Sequence, residues 1–465
     1  METVRPTYED LLAEILALKA VILAQSSLIT EQSLRLSELE KRLNKTSANS
    51  SQPSSSNGFK KVVQNNREKG VKKSGGQPAH EGSTLLFADI SSVAEFVPLS
   101  VEGVCVCGLD LSVSGELLPV ERRQVWDLPV LLPHITEYQL ERKRCSCGLL
   151  HKAVCKSAPH SIQYGSRVKA FCTYGTVHQL LPLARMKEFL GDIFGFPQLS
   201  EGVILDSNTL CYERLSDWET SQVEALRDSK VLHVDETGFE VEGKRQWGHV
   251  SSTPLLTLYQ YHPKRGKEAH EANGILPSYK GLLVHDRYSS YTSYDCTHSL
   301  CNAHLLRNLK SVREDGQQWA AQMYVLLNEA HQKKIAVSAL ETRYKEILET
   351  GFEANPIPEK TGNKGKTAQT ESLNLLQCFR ENQADILRFF YQEDAPFDNN
   401  LAERDLRMFK LKQKVSGTFR TSVGAKIFCR IRSLISTLRK QGRNVWENLC
   451  DICSTPQQYT MPTDA

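Results

Sequence analysis

Residues 231–241 read Val-Leu-His-Val-Asp-Glu-Thr-Gly-Phe-Glu-Val, a pattern that predicts a strand carrying an acid, Asp235, and then a turn. Two more strand-like runs follow at 245–250 and 255–261, so the three together predict an antiparallel meander. A fourth run, Gly-Leu-Leu-Val-His-Asp, is continuously apolar until it ends in Asp286. Because an uninterrupted apolar strand is usually buried on both faces, we expect this second acid at the end of a central strand.

A third acid, Glu403, lies in the segment 396–407, which reads Pro-Phe-Asp-Asn-Asn-Leu-Ala-Glu-Arg-Asp-Leu-Arg. Asp398 or Asn399 can cap a helix that carries Glu403 in its first turns. Cations at spacings of four, three and four residues share one face of that helix with the acid: Arg407, Lys410 and Lys414. The chain as a whole has a net charge of only +3, but residues 404–443 contain twelve Lys or Arg and one acid. This segment therefore indicates nucleic-acid binding.

Two strand-borne aspartates and one helix-borne glutamate supply the oxygen ligands of a two-metal phosphoryl-transfer site, and such ligands suit Mg²⁺. Two ions about 3.5–4 Å apart can activate the attacking oxygen and stabilise the leaving one. Glu236 competes with Asp235 for this role, but adjacent side chains on a strand point to opposite faces, and we favour Asp235. From spacing alone, ordinary helix caps and salt-bridge partners remain the simpler explanation of the three acids.

Longer motifs surround these acids. The C-terminal block contains three: Pro396-Phe397-x-Asn399-Asn400-x-Ala402-Glu403-Arg404-x-Leu406-Arg407, Lys412-Gln413-Lys414-x-Ser416-Gly417-x-Phe419-Arg420 and Ser433-x-x-Ser436-Thr437-x-Arg439-Lys440-x-Gly442-Arg443. Shorter ones precede it: Gly75-Gly76-Gln77-Pro78-x-His80, His233-Val234-Asp235-Glu236-Thr237, Asp286-x-Tyr288-x-x-Tyr291 and Cys301-x-x-His304-x-x-Arg307. In these motifs the chain resembles, over almost its whole length, the transposases of the insertion sequence 66 family, which belong to the Asp-Asp-Glu group with a ribonuclease-H-like core.

The resemblance implies that Asp235, Asp286 and Glu403 bind the catalytic metal, Mg²⁺ or Mn²⁺. It implies a DNA transposase that cuts at the ends of its element and transfers the freed 3′ hydroxyl to target DNA. Helper proteins encoded by the same element are a further implication. The expected phosphate contacts are basic residues of the C-terminal block: Arg407, Lys410, Lys412, Lys414, Arg420, Arg439 and Lys440.

Two other functions stay open. A DNA-binding regulator could keep the coiled coil and the cysteine module described below and perform no chemistry. A metal-dependent nuclease could cut DNA without strand transfer. Cys301 and His304 could bind metal, but two ligands make no zinc site, so we interpret them as a local structural or DNA-facing element.

The N-terminal segment has apolar residues at alternating steps of four and three, which predicts a self-associating coiled coil over residues 1–44. Eight of its ten seam positions are apolar: Leu11, Ile15, Leu18, Ile22, Gln25, Ile29, Gln32, Leu36, Leu39 and Leu43. A single amphipathic helix packed on its own domain is the alternative. A Ser- and Asn-rich linker follows, and then a run of cations that is either a solvated tail or a phosphate-binding arm: Lys60, Lys61, Arg67, Lys69, Lys72 and Lys73.

Thirteen cysteines in a chain without an export signal favour free thiols or a metal site over disulfides. Two Cys-x-Cys-Gly knuckles bracket a region that alternates like β-structure at 125–131 and 136–140: Cys105-Val106-Cys107-Gly108 and Cys145-Ser146-Cys147-Gly148. Four thiolates suit a structural Zn²⁺ ion, with His151 and Cys155 as spare ligands. The alternative is that these thiols bind no metal.

The predicted fold class is therefore multidomain α+β, with a ribonuclease-H-like α/β catalytic core. Its parts are a coiled coil (1–44), a linker and basic arm (45–89), a β-rich, zinc-ribbon-like cysteine module (90–155), a helical domain (156–230), the catalytic domain (231–450) with a helical insertion at about 310–390, and a tail (451–465). No run is long and apolar enough to span a membrane, and the N-terminus lacks the apolar core of a signal peptide. We expect a cytoplasmic homo-oligomer that binds its element ends and target DNA.

Overall fold

The computed structural model of the chain describes residues 7–44, 85–196, 198–357 and 369–460. The predicted basic arm at 60–73 lies outside the described residues. The described elements are fourteen α-helices and two β-sheets, so the predicted mixed α+β class is confirmed. None of the described helices combines the length and the apolarity that crossing a bilayer requires. The chain divides into two compact units, one comprising 1–64, 136–192 and 196–465 and the other 65–135 and 193–195.

The first helix, α1, runs over Tyr8–Asn44 and is 37 residues long. The other described residues do not cover its apolar seam: Ile22, Ile29 and Leu36 are 59%, 63% and 60% exposed. A stripe of this length favours burial against a partner helix over exposure to water. Pairing of α1 with a second copy stays a prediction.

The cysteine region is irregular, so the predicted β-rich module is wrong. Within residues 90–155 the strands are β1 (Arg142–Arg144) and β2 (Leu150–Lys152), which form one short antiparallel hairpin. The alternating run at 125–131 does not form a strand. Its apolar side chains have no second layer to pack against, and Val125 is 91% exposed, so the alternation produces no buried face.

A helical part connects this region to the main sheet. It consists of α2 (Ser166–Thr173) with a π-helical turn at its end (Tyr174–His178), α3 (Leu183–Phe194), α4 (Glu201–Arg214) and α5 (Ser216–Arg227). Ser200 caps α4 by accepting the N–H of Val203. Apolar side chains of α2, α4 and α5, such as Cys211 and Trp218, join the largest core cluster of the chain, which also packs against the sheet.

The central sheet has five strands in the order β5-β4-β3-β6-β7. They are β3 (Val231–Val241), β4 (Lys244–Ser252), β5 (Thr257–His262), β6 (Leu282–His285) and β7 (Thr297–Leu300). The first three form the predicted antiparallel meander, and β6 lies parallel to both β3 and β7. All four residues of β6 are buried, as its uninterrupted apolar run predicted.

Six helices follow the meander in the chain: α6 (Lys267–Asn273), α7 (Asn302–Glu314), α8 (Gln318–His331), α9 (Val337–Ala354), α10 (Glu371–Glu381) and α11 (Gln383–Tyr391). Helices α7–α11 share a core of their own, with Trp319, Tyr344 and Phe379 fully buried at its centre. A separate core allows these helices to form a subdomain between β7 and the last helices.

The last three helices are α12 (Asn400–Ser416), α13 (Ser422–Lys440) and α14 (Val445–Ser454). Phe409 of α12 stacks on Phe239 of β3 with ring centroids 4.8 Å apart. A Cβ atom at Gly248 of β4 would lie 2.6 Å from Phe409, so only glycine lets α12 pack this closely on the sheet. The aromatic contact holds α12 against the strand that carries Asp235.

Helix α13 covers the edge strand β5 with polar side chains. Ser433 accepts the N–H of Tyr259 at 2.7 Å, and Thr437 accepts the N–H of Thr257 at 3.1 Å. Both hydroxyl residues are completely buried. They satisfy backbone donors that an edge strand would otherwise expose for pairing with another chain, which gives a structural reason for Ser433 and Thr437 in the C-terminal motif.

Candidate active site

Asp235 lies on β3, directly opposite Val250 of β4. Its Oδ1 accepts the backbone N–H of Glu236 at 2.9 Å. Burial raises the pKa of the Asp235 carboxyl well above its usual range, and the negative charges of Glu236, Asp286 and Glu403 raise it further. Three acids from distant parts of the chain therefore share one electrostatic neighbourhood, and it has a surplus of negative charge.

Glu236 is bonded to other groups of the protein. Its side chain is 1% exposed, and Arg265 forms an ion pair with it at 2.8 Å. The hydroxyl of Tyr291 donates to its other carboxylate oxygen. Burial raises the pKa of Glu236, and the charge of Asp286 adds to this effect. Glu236 thus fastens the loop that follows β6, which carries Asp286 and Tyr291, to β3 beside Asp235.

Asp286 follows β6 directly and is half-buried. Its Oδ1 accepts the N–H of Tyr288 at 2.9 Å, which fixes the turn after the strand. The preceding residue, His285, accepts the N–H of Cys301 through its carbonyl at 2.9 Å, so the ends of β6 and β7 stay in register. The second acid consequently sits at the end of a central strand beside β3.

Glu403 lies in the first turn of α12. Asn399 occupies the N-cap position of this helix, but its side chain makes no capping hydrogen bond. Asp398 accepts the N–H of Asn400 at 3.0 Å instead, and the Asn399 side chain bonds elsewhere. Its amide nitrogen donates to the carbonyl of Val234 at 2.8 Å, and its backbone N–H donates to the sulfur of Cys301 at 3.1 Å.

Asn399 also contacts β3 through its side-chain amide oxygen, Oδ1, which lies 2.9 Å from Nδ1 of His233. The Asn399 side chain is completely buried, at 1% exposure. Its partners are the two residues immediately before Asp235. Asn399 thus fixes the start of α12, and with it Glu403, to the strand that carries the first acid.

Glu403 has close neighbours on α7. Its Oε1 lies 3.3 Å from Nδ1 of His304 and 3.6 Å from Nη2 of Arg307. This oxygen is buried and has no hydrogen-bond partner among the described residues. Burial raises the pKa of Glu403, and the charge of Arg307 partly opposes that effect. Burial lowers the pKa of His304 to about 4, so its imidazole is neutral at pH 7.

The donor set fits a divalent cation, because Asp235, Asp286 and Glu403 offer carboxylate oxygens, and burial and neighbouring negative charges raise the pKa of Asp235 and of Glu403. The oxygens of Asp235, Asp286 and Glu403 do not, however, form a tight cluster in this structure. Among the described residues, one group of three possible ligand side chains has all its ligand atoms within 4.8 Å of one another: Cys301, His304 and Glu403.

The predicted phosphate contacts fall into two groups. Arg407, Lys414, Arg420 and Arg439 are exposed. Lys410, Lys412 and Lys440 are half-buried and bonded within the protein. The Lys410 ammonium donates to the carbonyl of Gly238, and Lys440 forms an ion pair with Asp405 at 2.8 Å with 14% of its side chain exposed. Burial lowers the pKa of Lys412 to about 8.

The two cysteine knuckles have the same turn. In each, the first cysteine N–H donates to a leucine carbonyl four residues on at 2.8 Å, and the glycine adopts a φ of +91°. In each knuckle, the pKa of the first cysteine is lowered chiefly by the backbone N–H of the second. This geometry is typical of thiolate ligands. The knuckles belong to different compact units, and their joint binding of zinc stays a prediction.

Some residues that contribute to the site are not marked by any motif in the sequence. The guanidinium carbon of Arg265 lies 4.0 Å from the ring centroid of Tyr288 and 5.0 Å from that of Trp247. The same guanidinium forms an ion pair with Glu236. Nothing near it in the sequence marks it as part of the site. The approach of Cys301 and His304 to Glu403 also depends on folding, because about a hundred residues separate them along the chain.

The family model described as Transposase IS66 family matches residues 161–427, more than half of the chain. The chain therefore belongs to the IS66 family of transposases, as the sequence motifs predicted. Membership indicates a transposase role and thus an enzyme that acts on DNA. A second model, of a family of unknown function (DUF6444), matches residues 3–85. No curated protein matches the chain.

Proposed function

We propose that the chain is an Asp-Asp-Glu transposase that cuts DNA at the ends of its element and joins the freed ends to target DNA. The observation that carries this proposal is where the fold places the three acids: Asp235 lies on β3, Asp286 directly follows the adjacent strand β6, and Glu403 lies in the first turn of α12, which packs on β3. The charges of Asp286 and Glu403 also raise the pKa of the half-buried Asp235 carboxyl.

The sheet supports a ribonuclease-H-like core. Such a core is implied by the family resemblance, and its three-strand meander followed by parallel strands agrees with the order β5-β4-β3-β6-β7. The first acid lies on the first strand of the meander, the second follows the adjacent parallel strand, and the third lies on a helix packed against the first strand. This arrangement positions carboxylates from rigid elements around the two central strands, β3 and β6.

Asp235, Asp286 and Glu403 would hold the divalent ions. Bound there, Mg²⁺ or Mn²⁺ would supply Lewis-acid stabilisation of the attacking and leaving oxygens. The protein's own contribution is positioning. Asn399 fastens α12 to β3, and the contact between Tyr291 and Glu236 fixes the loop of the second acid.

The exposed cations supply the DNA-binding surface in this proposal. Arg407 lies close enough to Glu403 to lower its pKa, so a phosphate bound by Arg407 would sit beside the carboxylates. Lys414, Arg420 and Arg439 would extend the contact as point charges on the phosphate backbone. We leave Lys440 out of this surface because its ammonium is bonded to Asp405 and to two backbone carbonyls.

The remaining parts support assembly. Pairing of α1 between protomers would suit an enzyme that must hold two DNA ends together, and the two knuckles would stabilise the intervening region through about one Zn²⁺ ion per chain. Helper proteins from the same element remain part of the proposal.

A cleavage and joining assay tests the function. Purified protein is incubated with the element's own ends and a target plasmid, with and without Mg²⁺. We expect Mg²⁺-dependent cleavage and joined products from the wild type and neither from Asp286→Asn. Asp295→Asn is the matched control, because Asp295 follows the same strand but is 99% exposed and paired with Lys280.

The rival functions give different products in the same assay. A nuclease would yield cut ends without joined products. A silent regulator would retard the DNA in a gel and leave it uncut at every metal concentration. Either result with wild-type protein would reject the proposed transposase activity.

A further inference from the structure

We propose that Cys301, His304 and Glu403 form a binding site for a thiophilic divalent cation, Zn²⁺ in the first instance, separate from the predicted knuckle site. The sulfur of Cys301 lies 3.3 Å from Nδ1 of His304, and Oε1 of Glu403 lies 3.3 Å from the same nitrogen. All three ligand atoms lie within 4.8 Å of one another. A thiolate, an imidazole and a carboxylate are the three side-chain ligand types that Zn²⁺ uses.

Two of the three separations between ligand atoms match a tetrahedral site, and the third is within 4.8 Å. Bond lengths of about 2.3 Å to sulfur and about 2.0–2.1 Å to nitrogen or oxygen place neighbouring ligand atoms roughly 3.3–3.6 Å apart. The two separations measured from Nδ1 of His304 agree with this spacing. The three ligands leave a fourth position open for an exchangeable group.

The surroundings of the three side chains also suit a metal. The backbone N–H of Asn399 donates to the sulfur of Cys301 at 3.1 Å, the kind of contact by which an outer-shell group orients a metal ligand. Oε1 of Glu403 is buried without a hydrogen-bond partner among the described residues. A metal ion would give this oxygen a direct ligand bond, whereas Arg307 approaches it only to 3.6 Å.

The sequence position of the ligands explains why the site forms only in the fold. Cys301 precedes α7 and His304 lies in its first turn, so the two ligands are one helical turn apart. Asn399 brings the start of α12 onto Cys301, and Glu403 follows one turn later. Two sequence neighbours thus gain a third ligand from a helix about a hundred residues away.

Occupancy of this site has a functional consequence that rests on the proposed function. Glu403 is also the third carboxylate of the proposed catalytic site. A Zn²⁺ ion held by Cys301 and His304 would draw Glu403 away from Asp235 and Asp286. Zn²⁺ would therefore inhibit Mg²⁺-dependent DNA cleavage reversibly, and a chelator would restore it.

Direct metal binding to the full-length chain tests the inference. Zn²⁺ content is measured after dialysis against Zn²⁺ alone, and the cobalt–thiolate charge-transfer band is recorded after titration with Co²⁺ alone. We expect Cys301→Ser to bind about one Zn²⁺ fewer per chain than the wild type and to lose part of the band. Cys296→Ser is the matched control, because Cys296 is a nearby, half-buried cysteine outside the group.

A second variant guards against misfolding of Cys301→Ser. Glu403→Gln keeps the shape of the side chain and removes its charge, and we expect its affinity for this Zn²⁺ ion to fall by at least about 10–100-fold, the effect of losing even an outer-shell partner. Equal Zn²⁺ content and equal affinity in the wild type and both variants would overturn the inference. Circular dichroism checks that each variant is folded.

Failure of this site and failure of the proposed function are distinguishable. If the wild type binds the extra Zn²⁺ but cuts no DNA, the result supports the metal site and rejects the transposase mechanism. If the wild type cuts and joins DNA but Cys301→Ser binds as much Zn²⁺ as the wild type, the result rejects the metal site and supports the mechanism.

Discussion

Replacing Asn399 by alanine should weaken both the fold and the proposed active site. The substitution removes the 2.8 Å bond to the carbonyl of Val234 and the 2.9 Å contact with His233. It leaves the backbone bond from position 399 to the Cys301 sulfur intact, because that donor is the main-chain N–H. The start of α12 would then be tied to β7 but no longer to the strand that carries Asp235.

The expected loss of stability follows from these two contacts. Each lost hydrogen bond costs about 1 kcal/mol net, and a buried partner left unpaired adds about 1–3 kcal/mol. Because Asn399 is only 1% exposed, water cannot replace it easily. We expect a loss of roughly 3 kcal/mol, which corresponds to a fall in Tm of about 6–12 °C at about 2–4 °C per kcal/mol.

Calorimetry and the cleavage assay together measure both effects. Asn444→Ala is the matched control, because Asn444 caps α14 by accepting the N–H groups of Trp446 and Glu447 and has no partner near the acids. Its loss should cost about 1 kcal/mol and leave cleavage unchanged at 25 °C. Asn399→Ala should lose cleavage at that temperature while still folded. Wild-type Tm and wild-type cleavage in Asn399→Ala would refute the positioning role of Asn399.

Three further predictions concern separate parts of the molecule. Tyr291→Phe removes the hydroxyl that donates to Glu236 and should lower the free energy of unfolding by about 1–3 kcal/mol, so an unchanged urea midpoint would contradict the contact. In metal-free protein, the raised pKa of Asp235 means that the folded state binds the carboxyl proton more tightly than the unfolded state does. Protonation of Asp235 therefore stabilises the fold most at a pH below the ordinary pKa of 3.8, and this stabilisation is lost as the pH rises through the pKa of the folded state. Asp235→Asn should therefore flatten the fall of Tm with rising pH in chelator, and a slope identical to that of the wild type would argue against the charge cluster. Deleting residues 1–44 should convert an oligomer to a smaller species in light scattering, and an unchanged number of protomers per particle would reject the coiled coil.

The meander and the first two acids could be predicted from local patterns. Strand alternation favours Asp235 over Glu236 as the metal ligand, which stays a prediction; Glu236 is bonded to Arg265 and Tyr291. The continuous apolar run before Asp286 predicted a buried strand, because only a strand covered on both faces lacks polar positions. These features depend on neighbouring residues, which a single sequence displays directly.

The long-range contacts could not be predicted in the same way. Asn399 occupies the N-cap position of α12, but its side chain bonds to β3 and makes no capping bond. A cap and a tertiary contact require the same short polar side chain, so composition does not separate them. The approach of Cys301 to Glu403 likewise depends on how α7 and α12 meet.

The prediction of a β-rich cysteine module failed for a physical reason. Alternating apolar residues form a strand when a second layer buries one of their faces. Val125 and Val130 are 91% and 87% exposed, so the pattern has no packing partner among the described residues. The two knuckle turns were recognisable because a Cys-x-Cys-Gly turn is a local structure that depends on a glycine with positive φ.

The central claim is that Asp235, Asp286 and Glu403 together hold the catalytic ions, and Mn²⁺ binding tests it without relying on catalysis. Electron paramagnetic resonance of free Mn²⁺ counts the ions bound by full-length protein with an uncut element end. We predict about two tightly bound ions per active site in the wild type and loss of tight binding in Asp235→Asn, Asp286→Asn and Glu403→Gln alike. Mn²⁺ binding by Glu403→Gln equal to that of the wild type would contradict the claim.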